Sequence, residues 1–153
     1  MTGGSIQIRP ATAADAETIA DIYLLARHAS TPNARWSHDG PEVRSWVAEK
    51  LVPAQDVYVA EASGILLGFV ALQNQWVAQL YVHPDQWRCG AGTALMHHAK
   101  TLRPDGLRLW CFEYNQPGQA FYDRHGFTII SRTDGHGNAE NQPDILYNWS
   151  KNE

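Results

Sequence analysis

Apolar and polar positions change period several times along this chain, and each change predicts an element. Residues 5–9 alternate and stop at Pro10, as a short strand does. Thr12, with Asp15 three positions on, has the pattern of a helix N-cap. Ile19, Tyr23 and Ala26 follow at i, i+4 and i+7, which predicts the inner face of a helix to about Ala29. Residues 30–40 are rich in turn formers and read as a loop holding Trp36 and His38. A second short helix is expected over 41–50, with Pro41 in its first turn. Residues 57–62, 65–72 and 76–82 are β-prone apolar runs, separated by the turn pairs Ser63-Gly64 and Asn74-Gln75. Residues 92–103 return to helical spacing, with Leu95, Ala99 and Leu102 on one face and Thr93, His97 and Lys100 on the other. A strand over 106–114 follows, then a helix from its cap Asn115 to His125, stopped by Gly126 with Phe127 folding back. Strands over 128–132 and 145–149 close the chain. The order β-α-α-β-β-β-α-β-α-β-β, meandering early and helix-linked later, predicts an α/β domain with a mixed sheet and helices on its faces.

Composition narrows the class. With 153 residues, one domain spanning 1–153 is expected, large enough to bury a core without metal or disulfides. The net charge of −4 argues against a nucleic-acid partner, whose footprint is a basic patch. No apolar run reaches membrane-spanning length, and the first residues lack the pattern of a signal peptide, so no membrane partner and a cytoplasmic location are expected. Cys89 and Cys111 have no spacing that suggests a framework or a zinc site. His97 and His98 are adjacent on a predicted helix and cannot chelate together, so no metal site is expected.

The chemistry gathers at Gly90-Ala91-Gly92, between a strand and a helix. A helix N-terminus offers unpaired N–H groups and roughly half a positive charge, and glycines let a phosphate reach them. A flexible turn is the plain alternative. The loop does not fit a dinucleotide fingerprint. That motif puts its turn directly after the strand, whereas residues 83–89 intervene, and Leu95 stands near where a third small residue belongs. Nor is it a nucleotide P-loop, since no Gly-Lys-Ser/Thr closes it.

Leu80-Tyr81-Val82-His83-Pro84 followed by Trp87-Arg88-Cys89-Gly90-Ala91-Gly92-Thr93-Ala94-Leu95 resembles motif A of the GNAT superfamily of N-acetyltransferases. Asn115 with Ala120-Phe121-Tyr122-Asp123-Arg124-His125-Gly126-Phe127 resembles its motif B, and Ile8-Arg9-Pro10-Ala11 its first strand. One departure is visible: Trp87 stands where Gln or Arg is usual. The resemblance implies the GNAT fold, a mostly antiparallel sheet of about seven strands, and direct acetyl transfer from acetyl-CoA to an amine of a small molecule or protein in a ternary complex. A catalytically silent acyl-CoA sensor is the alternative. It implies that Leu80, Tyr81 and Val82 offer free main-chain groups to the pantetheine arm at a splay between two parallel strands. Arg88, Cys89, Gly90, Ala91, Gly92 and Thr93 would hold the diphosphate; Arg88 is otherwise a solvated surface charge. Asn115 would contact the cofactor, and Tyr122 would give a proton to the departing thiolate, a core tyrosine being the alternative.

The acceptor side is less determined. Ala78 and Gln79 occupy positions where the family often has a carboxylate, so Glu113, facing inward if it alternates with Leu109 and Cys111, is the leading candidate base, with a structural carboxylate as its alternative. His28, His38 and His83 have suitable ordinary pKa values but also suit surface loops. A base-free route through water is equally open. Trp36, His38, Trp76 and Tyr81 are candidates for the acceptor pocket, with aromatic core as the other reading for Trp76. Cys89, near a helix N-terminus and Arg88, has the setting of a reactive thiol but no visible base. The polar link over 133–144 reads as a lid, a homodimer contact or a mobile loop.

Overall fold

The computed structural model describes residues 5–30, 40–87, 89–137 and 142–151. Seven strands form one sheet: β1 (Gln7–Pro10), β2 (Asp56–Ala62), β3 (Ile65–Gln73), β4 (Trp76–Val82), β5 (Leu107–Phe112), β6 (Thr128–Thr133) and β7 (Asp144–Trp149). Their spatial order is β1-β2-β3-β4-β5-β7-β6. Every neighbouring pair is antiparallel except β4 and β5. The expected mixed, mostly antiparallel sheet is therefore observed.

The near-continuous apolar run of β3 is explained by burial on both faces. Phe69 and Ala71 join one core, against α1 (Ala16–Ser30) and α2 (Gly40–Trp46). Val70 and Leu72 join the other, against α4 (Ala91–Leu102). In between in sequence, α3 is the single turn Val52–Ala54; α5 (Gln116–Arg124) packs Phe121 and Tyr122 on the same core as α4. Helices thus cover both faces of the sheet.

The predicted stripe of α1 is observed and wider: Ile19, Ala20, Ile22 and Ala26 are buried. The second helix differs from expectation. After Trp46 it opens into a wide π turn, Val47–Leu51, and runs on through α3. Val43, Val47 and Leu51 are all buried at a strict four-residue spacing. That spacing drifts around an uninterrupted α-helix, and a wider turn brings it back. β5 is shorter than expected, Leu107–Phe112; the Glu113 N–H still donates to the facing Pro143 carbonyl at 2.9 Å, but Pro143 has no N–H to return the bond.

Thr12 does open the first helical segment, through the 3₁₀ turn Ala13–Asp15. The buried Asp15 carboxylate accepts the Thr12 N–H at 2.8 Å and takes a two-pronged bond from Arg9 at 2.9 and 3.0 Å. The Arg9 Nε also donates to Glu61 at 3.0 Å, so one guanidinium ties β1 to α1 and β2. The Arg9 bond, helped by the Thr12 N–H, lowers the Asp15 carboxyl from 3.8 to about 2 despite burial. Its contribution to stability is complete above pH 4 and is lost as pH falls through the interval between those two values. Asp15→Ala should cost about 2 kcal/mol in urea unfolding at neutral pH, since Arg9 keeps Glu61 and partial water access. The deficit should shrink at about pH 2, where the wild-type carboxylate also loses its charge.

Candidate active site

β4 and β5 run parallel but pair only at their start, Trp76 with Arg108, where the Arg108 N–H also reaches the Gln75 carbonyl at 2.9 Å. Beyond that point the two strands make no ladder. An extra residue in β4, Ala78, lies opposite the step from Ala71 to Leu72 in β3 and bends the strand. Two cavities occupy the opening. A groove of about 480 Å³ runs from the splay over Gly90, Gly92 and Thr93 and along α5. A smaller cavity of about 220 Å³ opens toward Tyr23, Gln79, Trp110, Cys111 and Phe112. Leu80, Tyr81, Asn115 and Tyr122 line both, so the two spaces meet at these four residues.

The groove's floor is bare backbone. Gly90 caps α4 in the left-handed region, φ +96°, which favours glycine. At Gly92 a Cβ would sit 3.1 Å from Phe121 Cε1 and 3.6 Å from Val82 Cγ2, so the helix start packs tightly under the groove. The first α4 N–H groups there are open to an anion entering the groove, with no Gly90 or Gly92 side chain in the way. Trp87 closes one side: its indole N–H donates to the Val82 carbonyl at 2.8 Å and pins the loop to the end of β4. Asn115 caps α5, its Oδ1 accepting the Gly118 N–H at 3.0 Å.

The model of the Acetyltransferase (GNAT) domain matches residues 53–129, which hold this opening apart from Tyr23 and Ala26 of α1. The chain belongs to the GNAT acetyltransferase family. It is 30% identical over 132 residues to the peptidyl-lysine N-acetyltransferase YiaC of Escherichia coli, covering 80% of this chain and 84% of that protein. Its fold resembles apo YjaB from Escherichia coli, at a TM-score of 0.81 and 23% identity over 95% of this chain and 98% of that one. It also resembles yncA from Salmonella typhimurium with its cofactor acetyl-CoA, at a TM-score of 0.70 and 21% identity over 98% and 96% of the two chains. Acetyl-CoA is the cosubstrate of the GNAT family, and the groove fits it: a glycine-floored helix N-terminus for the diphosphate, and an unpaired strand edge for the pantetheine arm.

The GNAT residues expected from sequence fall into three groups. Leu80, Tyr81, Val82, Gly90, Gly92, Thr93, Asn115 and Tyr122 line the groove. Ala91 is fully buried in the core and lends only its backbone, and Cys89 is exposed beside the groove without lining it. Arg88, Trp36 and His38 lie outside the described residues. Three expectations are corrected. Val82 is not wholly free, because Trp87 takes its carbonyl. Trp76 sits at the closed end of the β4–β5 pair and lines neither cavity. Glu113 does not face inward: the strand ends one residue before it, so alternation no longer applies, and its exposed carboxylate lies 3.6 Å from Arg132. Of the histidines, His28 is exposed, and the Nδ1 of His83 accepts the Asp85 N–H at 3.1 Å as part of a turn.

Sequence reasoning noted Trp87 and Gln79 only as departures from the family pattern, and assigned no role to Trp110 or Phe112. Trp110 carried a signal: it occupies an outward position of β5, between inward Leu109 and Cys111, yet is a large aromatic, 47% exposed at the cavity mouth. Burial raises the Tyr122 phenol well above 10, with Cys111 and Tyr147 adding to the shift, so it is fully protonated at neutral pH. Burial also pushes the Cys111 thiol up to about 12. Trp87→Phe should keep the fold but free the loop, weakening coenzyme A binding about 5-fold by calorimetry, the worth of one net hydrogen bond near 1 kcal/mol.

Proposed function

We propose that this GNAT protein transfers an acetyl group from acetyl-CoA directly to a primary amine, with the lysine side chain of a protein as the favoured acceptor. The observation that carries the reading is the meeting of the two cavities at Leu80, Tyr81, Asn115 and Tyr122. A donor lying in the groove and an acceptor entering past Gln79 and Trp110 would meet there without a covalent relay on the protein. The kinship with a peptidyl-lysine N-acetyltransferase supports the lysine acceptor. So does a cavity mouth flanked by exposed Trp110, an aromatic face suited to an alkylammonium.

When bound, acetyl-CoA supplies the thioester whose acetyl group is moved. The chain's own part is positioning and proton control. The start of α4 holds the diphosphate by N–H groups, and the unpaired edge of β4 aligns the pantetheine arm and polarises the thioester carbonyl. Tyr122 gives its proton toward the departing sulfur. An ordinary thiol has a pKa near 8.5, so donation by a phenol above 10 would be uphill by roughly 2 kcal/mol or more. Cys111 shows what this cavity does to a thiol: it becomes far harder to ionise. The same desolvation raises the proton affinity of a departing thiolate along with that of the phenol, so the uphill step stays small. No carboxylate among the described residues lines the acceptor cavity, which favours an amine that sheds its proton to water as it enters.

Tyr122→Phe should lower kcat about 100-fold while leaving KM for acetyl-CoA within about 2-fold, at an unchanged melting temperature. Unchanged turnover from pH 6 to about 10 would remove the acid role. A mass-spectrometric panel of lysine peptides and small amines should give acetyl-lysine as the preferred product. Preference for a small amine would keep the transferase and change the acceptor; slow hydrolysis alone would favour a silent sensor.

A further inference from the structure

The proton chemistry above leaves a cluster beside the anion-binding loop unused. Thr93, in the first turn of α4, lines the groove, and its Oγ1 lies 3.3 Å from His125 Nε2. His125 closes α5; its ring packs on Phe121 at 4.3 Å between centroids and faces the His97 ring of α4 at 5.9 Å. Arg124, next in the chain, also lines the groove. The Lys100 ammonium donates to the His125 carbonyl at 2.5 Å and lies over the Trp149 ring. The groups acting electrostatically on the imidazole are thus Lys100 and His97 from α4 and Arg124 from α5. The sheet side of the cluster, Phe127 and Trp149, is uncharged. Among the described residues no carboxylate pairs with the ring.

We propose that His125, bridged to the groove by the Thr93 hydroxyl, is a proton-linked positioning residue for the phosphates of coenzyme A, taking up a proton as the cofactor binds. Partial burial, then Lys100, His97 and Arg124, lower its pKa from 6.5, so the ring of the free protein is neutral at pH 7. Phosphate charge in the groove reverses that balance. A doubly protonated imidazole has only donors, so Nε2–H must donate to Thr93 Oγ1. The Thr93 hydrogen is then turned away from His125 and is available to a phosphate oxygen. One proton thereby orients a hydroxyl and adds a positive charge behind the loop. The inference rests on cofactor binding in the groove and adds a residue and a pH dependence to it.

The test is calorimetry of the whole chain with coenzyme A in two buffers of different ionisation enthalpy. At about pH 6 the two heats should differ by an uptake of up to about one proton, fading by about pH 8. His125→Gln, which can still bond to Thr93, should abolish the uptake and raise Kd about 3-fold at the lower pH only. His97→Gln should keep it. Dephospho-coenzyme A separates the sources of charge: uptake retained assigns the diphosphate, and uptake lost assigns the 3′-phosphate. In the unaltered protein, the His125 ring resonances should titrate at higher pH with coenzyme A than without, which needs no variant to fold. Equal heats in both buffers, uptake surviving in His125→Gln, or loss in His97→Gln alone would overturn the inference while leaving the transferase reading intact. No binding heat in any buffer would sink both.

Discussion

Everything in this molecule turns on two parallel strands that begin paired and then part. A sheet normally satisfies its backbone along the whole length of each neighbour, and an unpaired edge in the middle of a sheet is expensive unless something else occupies it. Here β4 and β5 meet only at Trp76 and Arg108. The flanking ladders, β3 with β4 and β5 with β7, are long and hold the parted strands rigidly in place. The gap is thus fixed by the sheet rather than by loops. That is the kind of support a reaction centre needs, where sub-ångström misplacement is costly.

The electrostatics follow from the same gap. On the groove side the protein offers fixed dipoles, the N–H groups at the start of α4, and few side-chain charges. On the other side it offers neutral groups, the partly buried Tyr122 and Tyr81 and the buried Cys111, each made harder to ionise by desolvation. In the proposed transfer, such neutral donors in a desolvated space would stabilise charge where it develops, at the carbonyl oxygen and the departing sulfur. Ion pairs are placed elsewhere, as in the Arg9–Asp15–Glu61 knot, where they fix the fold.

How much of this could be read from the chain depends on how local each signal is. Gly90 and Gly92 announce themselves because a left-handed cap and a close approach leave few residue types possible. Asn115 announces its cap for the same reason. The strands were legible from period alone, and β3 was legible even without alternation, since burial on both faces leaves an unbroken apolar run. Glu113 was misread because alternation holds only within a strand, and β5 ends where Glu113 faces Pro143, which has no N–H to complete the pair. Trp87 and Trp110 were underread for another reason. What they do depends on tertiary partners, the Val82 carbonyl and the cavity mouth, and no period reports those. Trp76 was misassigned because its distance from the centre is set by where β4 and β5 pair, which no single strand reveals.

The order of strands in space also has a consequence for how the site comes into being. β7 is the last strand in sequence but lies between β5 and β6, and Tyr147 on it packs 5.7 Å from the Tyr122 ring. During synthesis, the first four strands and their helices can emerge and collapse together on local contacts. The far wing cannot, because its central slot is filled by a strand made after both of its neighbours. Until that segment leaves the ribosome, Tyr122 lacks the ring it rests on and the two flanking strands lack their partner. The nascent protein can therefore acquire much of its core well before it acquires a working reaction centre.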